Sequence, residues 1–95
     1  MKTGIEIIAE ERQRQILVEG WTNEHDKQHT HGELASAAEA YLRVETRIGE
    51  FSHPQVWPWD IKWWKPSEEN PIRNLAKAGA LIAAEIDRLQ HLKEK

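Results

Sequence analysis

Residues 70–92 read NPIRNLAKAGALIAAEIDRLQHL, and this stretch decides the fold class. Asn70 followed by Pro71 is a strong helix start, because asparagine caps helices and proline is tolerated at the first helical position. Apolar residues and one glycine then recur at steps of three and four, in the manner of a heptad seam: Ile72, Leu75, Gly79, Ile82, Ile86 and Leu89. The spacing predicts a helix over residues 71–92.

A second helix is predicted over residues 5–19, at the start of the chain. Thr3 and Glu6 form an S/T-x-x-E capping box before it, and Gly20 is a natural stop. Arg12 interrupts an apolar stripe at helical spacing, which we expect to face the core: Ile5, Ile8, Ala9, Ile16 and Leu17.

A third helix is predicted over residues 31–48, ending at Gly49. Thr30 and Glu33 form a second capping box before it. One face of this helix carries the residues expected in the core: Leu34, Ala38, Tyr41, Leu42 and Ile48. The polar segment between the first two helices, residues 21–32, is expected to be a loop or a short irregular turn.

The predicted fold is all-α: a three-helix bundle in one domain, residues 1–95, because no segment shows the period-two pattern of a strand. A long ordered loop, residues 49–70, joins the last two helices. Alanines on the 31–48 helix and a notch at Gly79 and Ala83 predict that these two helices pack closely and antiparallel. The small core of a 95-residue chain and the heptad seam together predict a homo-oligomer, a dimer or higher.

Composition excludes several classes of partner. The net charge is −3 with both signs mixed, so no general nucleic-acid surface is expected. No apolar run reaches the roughly 18 residues of a membrane helix, and the N-terminus lacks an apolar signal core. The chain has no cysteine, which fits a reducing compartment, and we expect a cytoplasmic protein.

The loop contains PQVWPWDIKWWKP, residues 54–66, which holds four of the chain's five tryptophans. One interpretation makes it a lid whose indoles complete a small core. Another makes it a recognition surface, because indoles stack on nucleobases and lysines meet phosphates. A third is a hot spot for a protein partner. The candidate ligand-binding residues in this segment are Trp57, Trp59, Lys62, Trp63, Trp64 and Lys65.

A second polar cluster lies in EHDKQHTHGE, residues 24–33. His25, Asp26, His29 and Glu33 are possible ligands for a divalent metal. The segment lacks the H-E-x-x-H and cysteine signatures of zinc sites. The alternative is a solvated turn whose acids and histidines cap the following helix.

The chain resembles a family of small phage and prophage proteins of uncharacterised activity. The resemblance covers ERQRQI, EGWTNEHD, HGELASAA, WPWDIKWWKP and NLAKAGALIAAEIDRL, which is almost the whole chain. It implies a protein of the cytoplasm of an infected or lysogenic bacterial host.

The order of helices is also similar to that of MazG-like, all-α nucleoside triphosphate pyrophosphohydrolases. Those enzymes hold magnesium with carboxylates from an E-E-x-x-E helix and a later E-x-x-D helix. The resemblance places Glu33 on the last glutamate of the first motif and puts His29 and Thr30 where the other two stand. Asn74 and Lys77 stand where the second motif has Glu and Asp. The departure implies that metal-dependent hydrolysis is lost and that Lys77 neutralises a phosphate directly; the alternative for Lys77 is a surface lysine.

Three function hypotheses follow. The first is a binding protein that sequesters a nucleotide-like or phosphate-bearing ligand, in counter-defence or host modulation, using the tryptophan segment, Lys77 and Glu33. The second is a module that blocks a host protein through the tryptophans. The third is a pyrophosphohydrolase with an altered site of Glu24, Asp26, His29 and Glu33. We assign no catalytic residue and no cofactor, with magnesium or another divalent ion needed only by the enzyme.

Overall fold

The computed structural model of the protein describes residues 1–46 and 55–93. Four α-helices follow in order: α1 (Gly4–Leu17), α2 (Asn23–Asp26), α3 (Glu33–Thr46) and α4 (Pro71–Lys93). A single 3₁₀ turn, Ile61–Trp63, precedes α4. Within these two ranges no strand occurs, so the all-α prediction is confirmed. None of the helices in them combines the length and the apolar character needed to cross a bilayer.

The prediction of three helices missed one short helix, α2. The segment expected to be a loop or irregular turn contains α2, a single helical turn. The hydroxyl of Thr22 caps it by accepting a hydrogen bond from the amide of His25 at 3.3 Å. Such a cap satisfies an amide that would otherwise lack a partner, so a polar segment can form one turn without an apolar stripe.

Local capping signals fixed most helix starts. Thr3 and Glu6 form the predicted reciprocal capping box, and the side chain of Asn70 accepts from the amide of Arg73 at 3.2 Å at the start of α4. The second predicted box is wrong: the Thr30 hydroxyl lies 3.2 Å from the ring of His31, and α3 begins after Gly32, whose φ is +80°.

The end of α3 and the beginning of the long loop are only partly described. Thr46 is the last described residue of α3. Residues 47–48 of the predicted helix, Gly49 and loop residues 50–54 lie outside the described residues. The loop is described from residue 55, and this part is called the connector (residues 55–70).

Helix α4 is the centre of the fold, with α3 and α1 both packed against it. The side chain of Asn74, near the start of α4, bonds to Glu45, near the end of α3, so these two helices run antiparallel as predicted. Alanines at their contact are almost fully buried, which allows the two backbones to approach closely. The Gly79 notch was assigned to the wrong neighbour: a Cβ there would lie 2.7 Å from Cδ1 of Ile8, so the notch receives α1.

Helix α1 turns inward only partly as predicted: Ile8 of the predicted stripe packs against Gly79 of α4, but the two ends of the stripe do not face the core. Its apolar Ile5 and Leu17 are 82 % and 78 % exposed, whereas Arg12 and Gln15 are buried. The reason is an ion pair made through tertiary structure: the Arg12 guanidinium donates to Asp26 of α2 at 2.9 Å and to the Trp21 carbonyl at 3.1 Å. A buried charge needs such partners, and their position decides which face of α1 turns inward.

The apolar core lies between α3, α4 and the connector. Leu34, Ala38 and Tyr41 of α3 are buried as predicted, whereas Leu42 is 37 % exposed and Ile48 lies outside the described residues. The heptad seam of α4 is not in this core. Its large residues remain 43–59 % exposed: Ile72, Leu75, Ile82, Ile86 and Leu89.

Candidate ligand-binding clefts

The tryptophans of the connector divide into an inward and an outward pair. Trp57 and Trp64 are buried against Tyr41, with ring centroids 5.8 and 4.8 Å from it and 5.0 Å from each other. Trp59 is half-buried, and Trp63 is 53 % exposed. We call Tyr41, Trp57 and Trp64 the aromatic core. The two outward indoles are available to line a surface site.

Two polar side chains of α4 fasten the connector. Asn74 is fully buried; its amide group donates to the carbonyl of Ser67 at 2.6 Å and its oxygen accepts from the Ser67 amide at 2.7 Å. The ammonium of Lys77 donates to the carbonyl of Lys65 at 2.7 Å. Both contacts satisfy buried or half-buried polar groups, so they hold the connector in one position.

The 3₁₀ turn fixes where the outward indoles point. The side chain of Asp60 caps this turn by accepting from the amide of Lys62 at 2.9 Å. The indole N–H of Trp57 donates to the carbonyl of Asp60 at 3.1 Å, which ties the turn to the aromatic core. Trp63 ends the turn on the outside of the molecule.

One cleft of the described surface has a volume of about 710 Å³, within the usual range for small-molecule sites. We call it the aromatic cleft. Trp21 and Trp59 lie 6.0 Å apart in it, and the ring of His29 lies 5.1 Å from Trp59. Its walls come from the segment after α1, from α2 and the residues that follow it, from α3 and from the connector: Val18, Glu19, Trp21, His25, Asp26, His29, Leu34, Trp59, Asp60 and Trp63.

A smaller cleft of about 260 Å³ lies on the other side of Trp63. We call it the basic cleft, because four cations line it: Arg14, Lys65, Arg73 and Lys77. Trp21, Trp63 and Glu19 line both clefts, so the two adjoin. One ligand can therefore contact an indole surface and a group of cations at the same time.

The charges of the basic cleft are only partly balanced. Glu11 neutralises Arg14 through a bidentate ion pair, in which Nε and Nη2 of Arg14 donate to Oε1 and Oε2 of Glu11 at 3.0 and 2.7 Å. Among the described residues, Lys65, Arg73 and Lys77 form no ion pair within 4.0 Å. Burial, and then the nearby charge of Arg73, lower the pKa of Lys77 below its ordinary value. A bound anion would relieve both effects.

A buried acceptor also borders the basic cleft. Oε1 of Gln15 is buried and has no hydrogen-bond partner among the residues that the structure describes, although Gln15 is among the lining residues. Native structures rarely leave a buried polar atom unsatisfied. A donor group on a ligand would supply the missing partner.

Two histidines and a carboxylate form the floor of the aromatic cleft. Ligand atoms of His25, Asp26 and His29 lie within 4.8 Å of one another. Glu33 starts α3 next to this group, with Oε2 3.8 Å from Nδ1 of His29. Amides at the helix start, first its own and then that of His31, lower the pKa of Glu33.

The candidate residues from sequence are therefore distributed over several environments. Trp59 and Trp63 line the aromatic cleft, and Lys65 and Lys77 line the basic cleft. Trp57 and Trp64 belong to the aromatic core. Lys62 lies over the Trp63 ring, with Nζ 5.4 Å from its centroid, and Glu33 lies beside His29 rather than in the basic cleft.

Sequence reasoning missed several residues of both clefts. Trp21 lies outside the tryptophan-rich segment, between α1 and α2, and its indole lines both clefts. Arg73 and Arg14 come from two different helices. The sequence offered no local signal that Trp21 or these two arginines would reach a common cleft, because Trp21 and Arg14 are distant in the chain from the tryptophan-rich segment and from Arg73.

No family model, no curated protein and no solved structure matches this chain in the comparisons made with known proteins.

Proposed function

We propose that the protein binds a nucleotide-like anion, with its base on the indoles of the aromatic cleft and its phosphate in the basic cleft. The observation that carries the proposal is the shared wall: Trp63 borders both clefts. Base–aromatic stacking contributes about 1–3 kcal/mol per base. Lysine and arginine are the usual partners of phosphate.

The charge distribution supports an anionic ligand. The whole chain carries a net charge of −3, yet Lys65, Arg73 and Lys77 gather at one cleft. Lys77 is held by the Lys65 carbonyl and lies 5.5 Å from the ring of Tyr41, so it is already oriented before a ligand arrives. Preorganised cations lose little entropy on binding.

A calorimetric panel tests this function. Mononucleotides, cyclic nucleotides and inorganic phosphate are titrated into the protein at low ionic strength. We expect saturable binding of at least one nucleotide, weakened at least tenfold in Trp63→Ala and in Lys77→Met. The matched control is Arg43→Gln, which removes an exposed cation of α3 that is paired with Glu39 and lies in neither cleft. No binding across the panel, or equal losses in the control, would overturn the proposal.

The carboxylates favour binding over hydrolysis. In the altered site of the enzyme hypothesis, Asp26 is paired with Arg12 at 2.9 Å and Glu24 accepts from Lys27 at 2.8 Å. Magnesium requires several oxygen ligands in near-octahedral geometry, and cations already hold one oxygen of Asp26 and one of Glu24. We therefore expect no pyrophosphate release from nucleoside triphosphates with magnesium or manganese; release that disappears in Glu33→Gln would instead support the enzyme.

A host-protein partner is the second candidate function, favoured by one exposed pair. Ile61 and Trp63 are 43 % and 53 % exposed on the same 3₁₀ turn, in the manner of an aromatic anchor. Affinity purification from a bacterial host should then capture one protein in a fixed ratio, lost in Ile61→Ser. Nucleotide binding retained in Ile61→Ser would separate the two functions.

We also propose that two copies associate through the outer face of α4. Leu75, Ile82, Ile86 and Leu89 recur at helical spacing and form an exposed stripe on α4. A heptad stripe is self-complementary across a two-fold axis, so a second copy fits it.

The size of α4 limits the strength of this association. A helix of 23 residues is roughly 35 Å long and about 10 Å wide. Pairing α4 alone therefore covers less than the roughly 800 Å² per partner of a standard interface, and we expect reversible association.

Sedimentation equilibrium over a concentration series tests this association. Ile82→Glu with Ile86→Glu should give a monomer at concentrations where the unaltered chain is a dimer or larger. The control, Leu17→Glu, places a charge on an apolar residue of α1 that lies away from the stripe and is more exposed than Ile82 or Ile86. A monomer at all concentrations, or dissociation by the control alone, would contradict the proposal.

A further inference from the structure

The floor of the aromatic cleft brings together two imidazoles and a carboxylate whose ligand atoms lie within 4.8 Å of one another. His25 and His29 are four residues apart, and the helical turn continues past α2 because the amide of His29 donates to the Asp26 carbonyl at 3.0 Å. Their rings meet edge to face with centroids 5.2 Å apart. The arrangement follows from the backbone and not from chance contacts of flexible side chains.

Asp26 is fixed in position by Arg12 on one oxygen, and its other oxygen faces the imidazole of His25. Its side chain is 2 % exposed, and Oδ2 accepts from the Arg12 guanidinium at 2.9 Å. Oδ1 faces Nδ1 of His25 at 3.4 Å. A buried carboxylate held on one oxygen can present the other to a cation with little loss of conformational entropy.

Glu33 stands behind His29 in the position of an orienting carboxylate. Its Oε2 lies 3.8 Å from Nδ1 of His29. A carboxylate beside one ring nitrogen favours the tautomer that leaves the other nitrogen, Nε2, with a free lone pair. His29 can therefore serve as a metal ligand, with Glu33 orienting its ring.

We propose that His25, Asp26 and His29 bind a first-row transition-metal dication, zinc or cobalt, with a coordination position open to the aromatic cleft. Two imidazoles and one carboxylate suit these metals, whereas magnesium prefers oxygen ligands alone. Three protein ligands with one open position are typical of zinc sites that act on a ligand.

The geometry permits this site after small side-chain movements. Ligand atoms around a tetrahedral zinc ion lie roughly 3.3 Å apart, given bonds of about 2.0 Å. The ligand atoms of His25, Asp26 and His29, which now lie within 4.8 Å of one another, must therefore approach each other by up to about 1.5 Å to bind such an ion. The side chain of His25 is 40 % exposed, so it is free to rotate toward the other two.

Cobalt titration of the untagged protein tests the site. We expect visible absorption bands of tetrahedral cobalt that saturate at one equivalent and disappear when zinc is added. Cobalt should also quench tryptophan fluorescence, because Trp59 lies 5.1 Å from His29. His25→Ala and His29→Ala should each weaken binding at least tenfold.

The matched control is His31→Ala, which removes an exposed imidazole from the same segment but outside the group of three. It should bind cobalt as the unaltered chain does, with an unchanged thermal melting curve. Equal weakening in His31→Ala, or no cobalt bands at a millimolar excess, would overturn the proposal. The titration contains no nucleotide, so its failure would leave the proposed nucleotide binding intact. Likewise, failure of the nucleotide titrations would leave the proposed metal site intact.

Discussion

Trp57 and Trp59 are two residues apart, and Trp63 and Trp64 are adjacent, yet each pair is divided between two environments. Trp57 and Trp64 pack on Tyr41 in the aromatic core, whereas Trp59 and Trp63 line the aromatic cleft. Trp59 touches both regions, since its ring meets Trp57 edge-on at 5.2 Å. The comparison teaches that one chemically uniform segment supplies both the stability of the fold and the walls of its site.

The largest expected effect separates the two regions by stability. Trp64→Ala should lower the free energy of unfolding by about 3–5 kcal/mol, because it leaves a cavity in the aromatic core. Trp63→Ala should lower it by less than about 1 kcal/mol, since this indole is half exposed. Urea denaturation of both variants measures the difference. Similar losses would mean that the two regions are one packing unit.

The next effect concerns the floor of the cleft. Asp26→Asn should cost about 3 kcal/mol, because it leaves the charge of Arg12 buried without a counter-charge. The double variant Arg12→Met with Asp26→Leu should recover most of this loss. Denaturation of the two variants checks the order. If the single variant is no less stable than the double one, the ion pair does not hold α2 in place.

Tyr41 gives a third test, through pH. Burial raises its pKa from 10.0 to about 12, so the folded state retains a proton that the unfolded state loses between these values. The stabilisation is complete below pH 10 and is lost as the pH rises to 12, by an amount of about 2–3 kcal/mol. Tyr41 is the only tyrosine, so phenolate absorbance reports it alone.

Tyr41→Phe is the control for that titration. In this variant the free energy of unfolding should no longer fall between pH 10 and 12 on account of Tyr41. The contribution of Lys77, which changes with pH in the opposite direction, should remain. The pKa of Lys77 is lowered, so its contribution to stability grows as the pH rises toward 10.5. A phenolate midpoint near 10 in the folded chain would show that the aromatic core is open to water.

The smallest effect concerns α1, which forms a wall of the basic cleft. Gly79→Ala adds about 1 kcal/mol of helix propensity but places a methyl group 2.7 Å from Cδ1 of Ile8. In the unaltered chain, we expect Gly79→Ala to lower the free energy of unfolding by about 1 kcal/mol. In a chain that already carries Ile8→Ala, the same substitution should raise the free energy of unfolding by up to about 1 kcal/mol. A double-mutant cycle measures this coupling. Additive changes would mean that α1 does not pack into the notch.

Sequence alone determined the features whose signals are local. The caps at Thr3 and Asn70, the helical periods and the absence of alternating patterns in the described residues reflect interactions within a few positions of the chain, and these fixed the all-α class and the start of α4. The grouping of His25, Asp26 and His29 is also local, since one helical turn brings them together.

Only the tertiary structure decided which faces turned inward and which indoles stayed outside. Arg12 found its partner fourteen residues away at Asp26, and this pairing buried a polar part of α1 while Ile5 and Leu17 stayed exposed. Asn74 and Lys77 fastened the connector so that Trp57 and Trp64 met Tyr41 while Trp63 was left between two clefts. Such choices depend on partners distant in the chain, because the cost of burying a charge or an amide is offset only where another element supplies its hydrogen bonds.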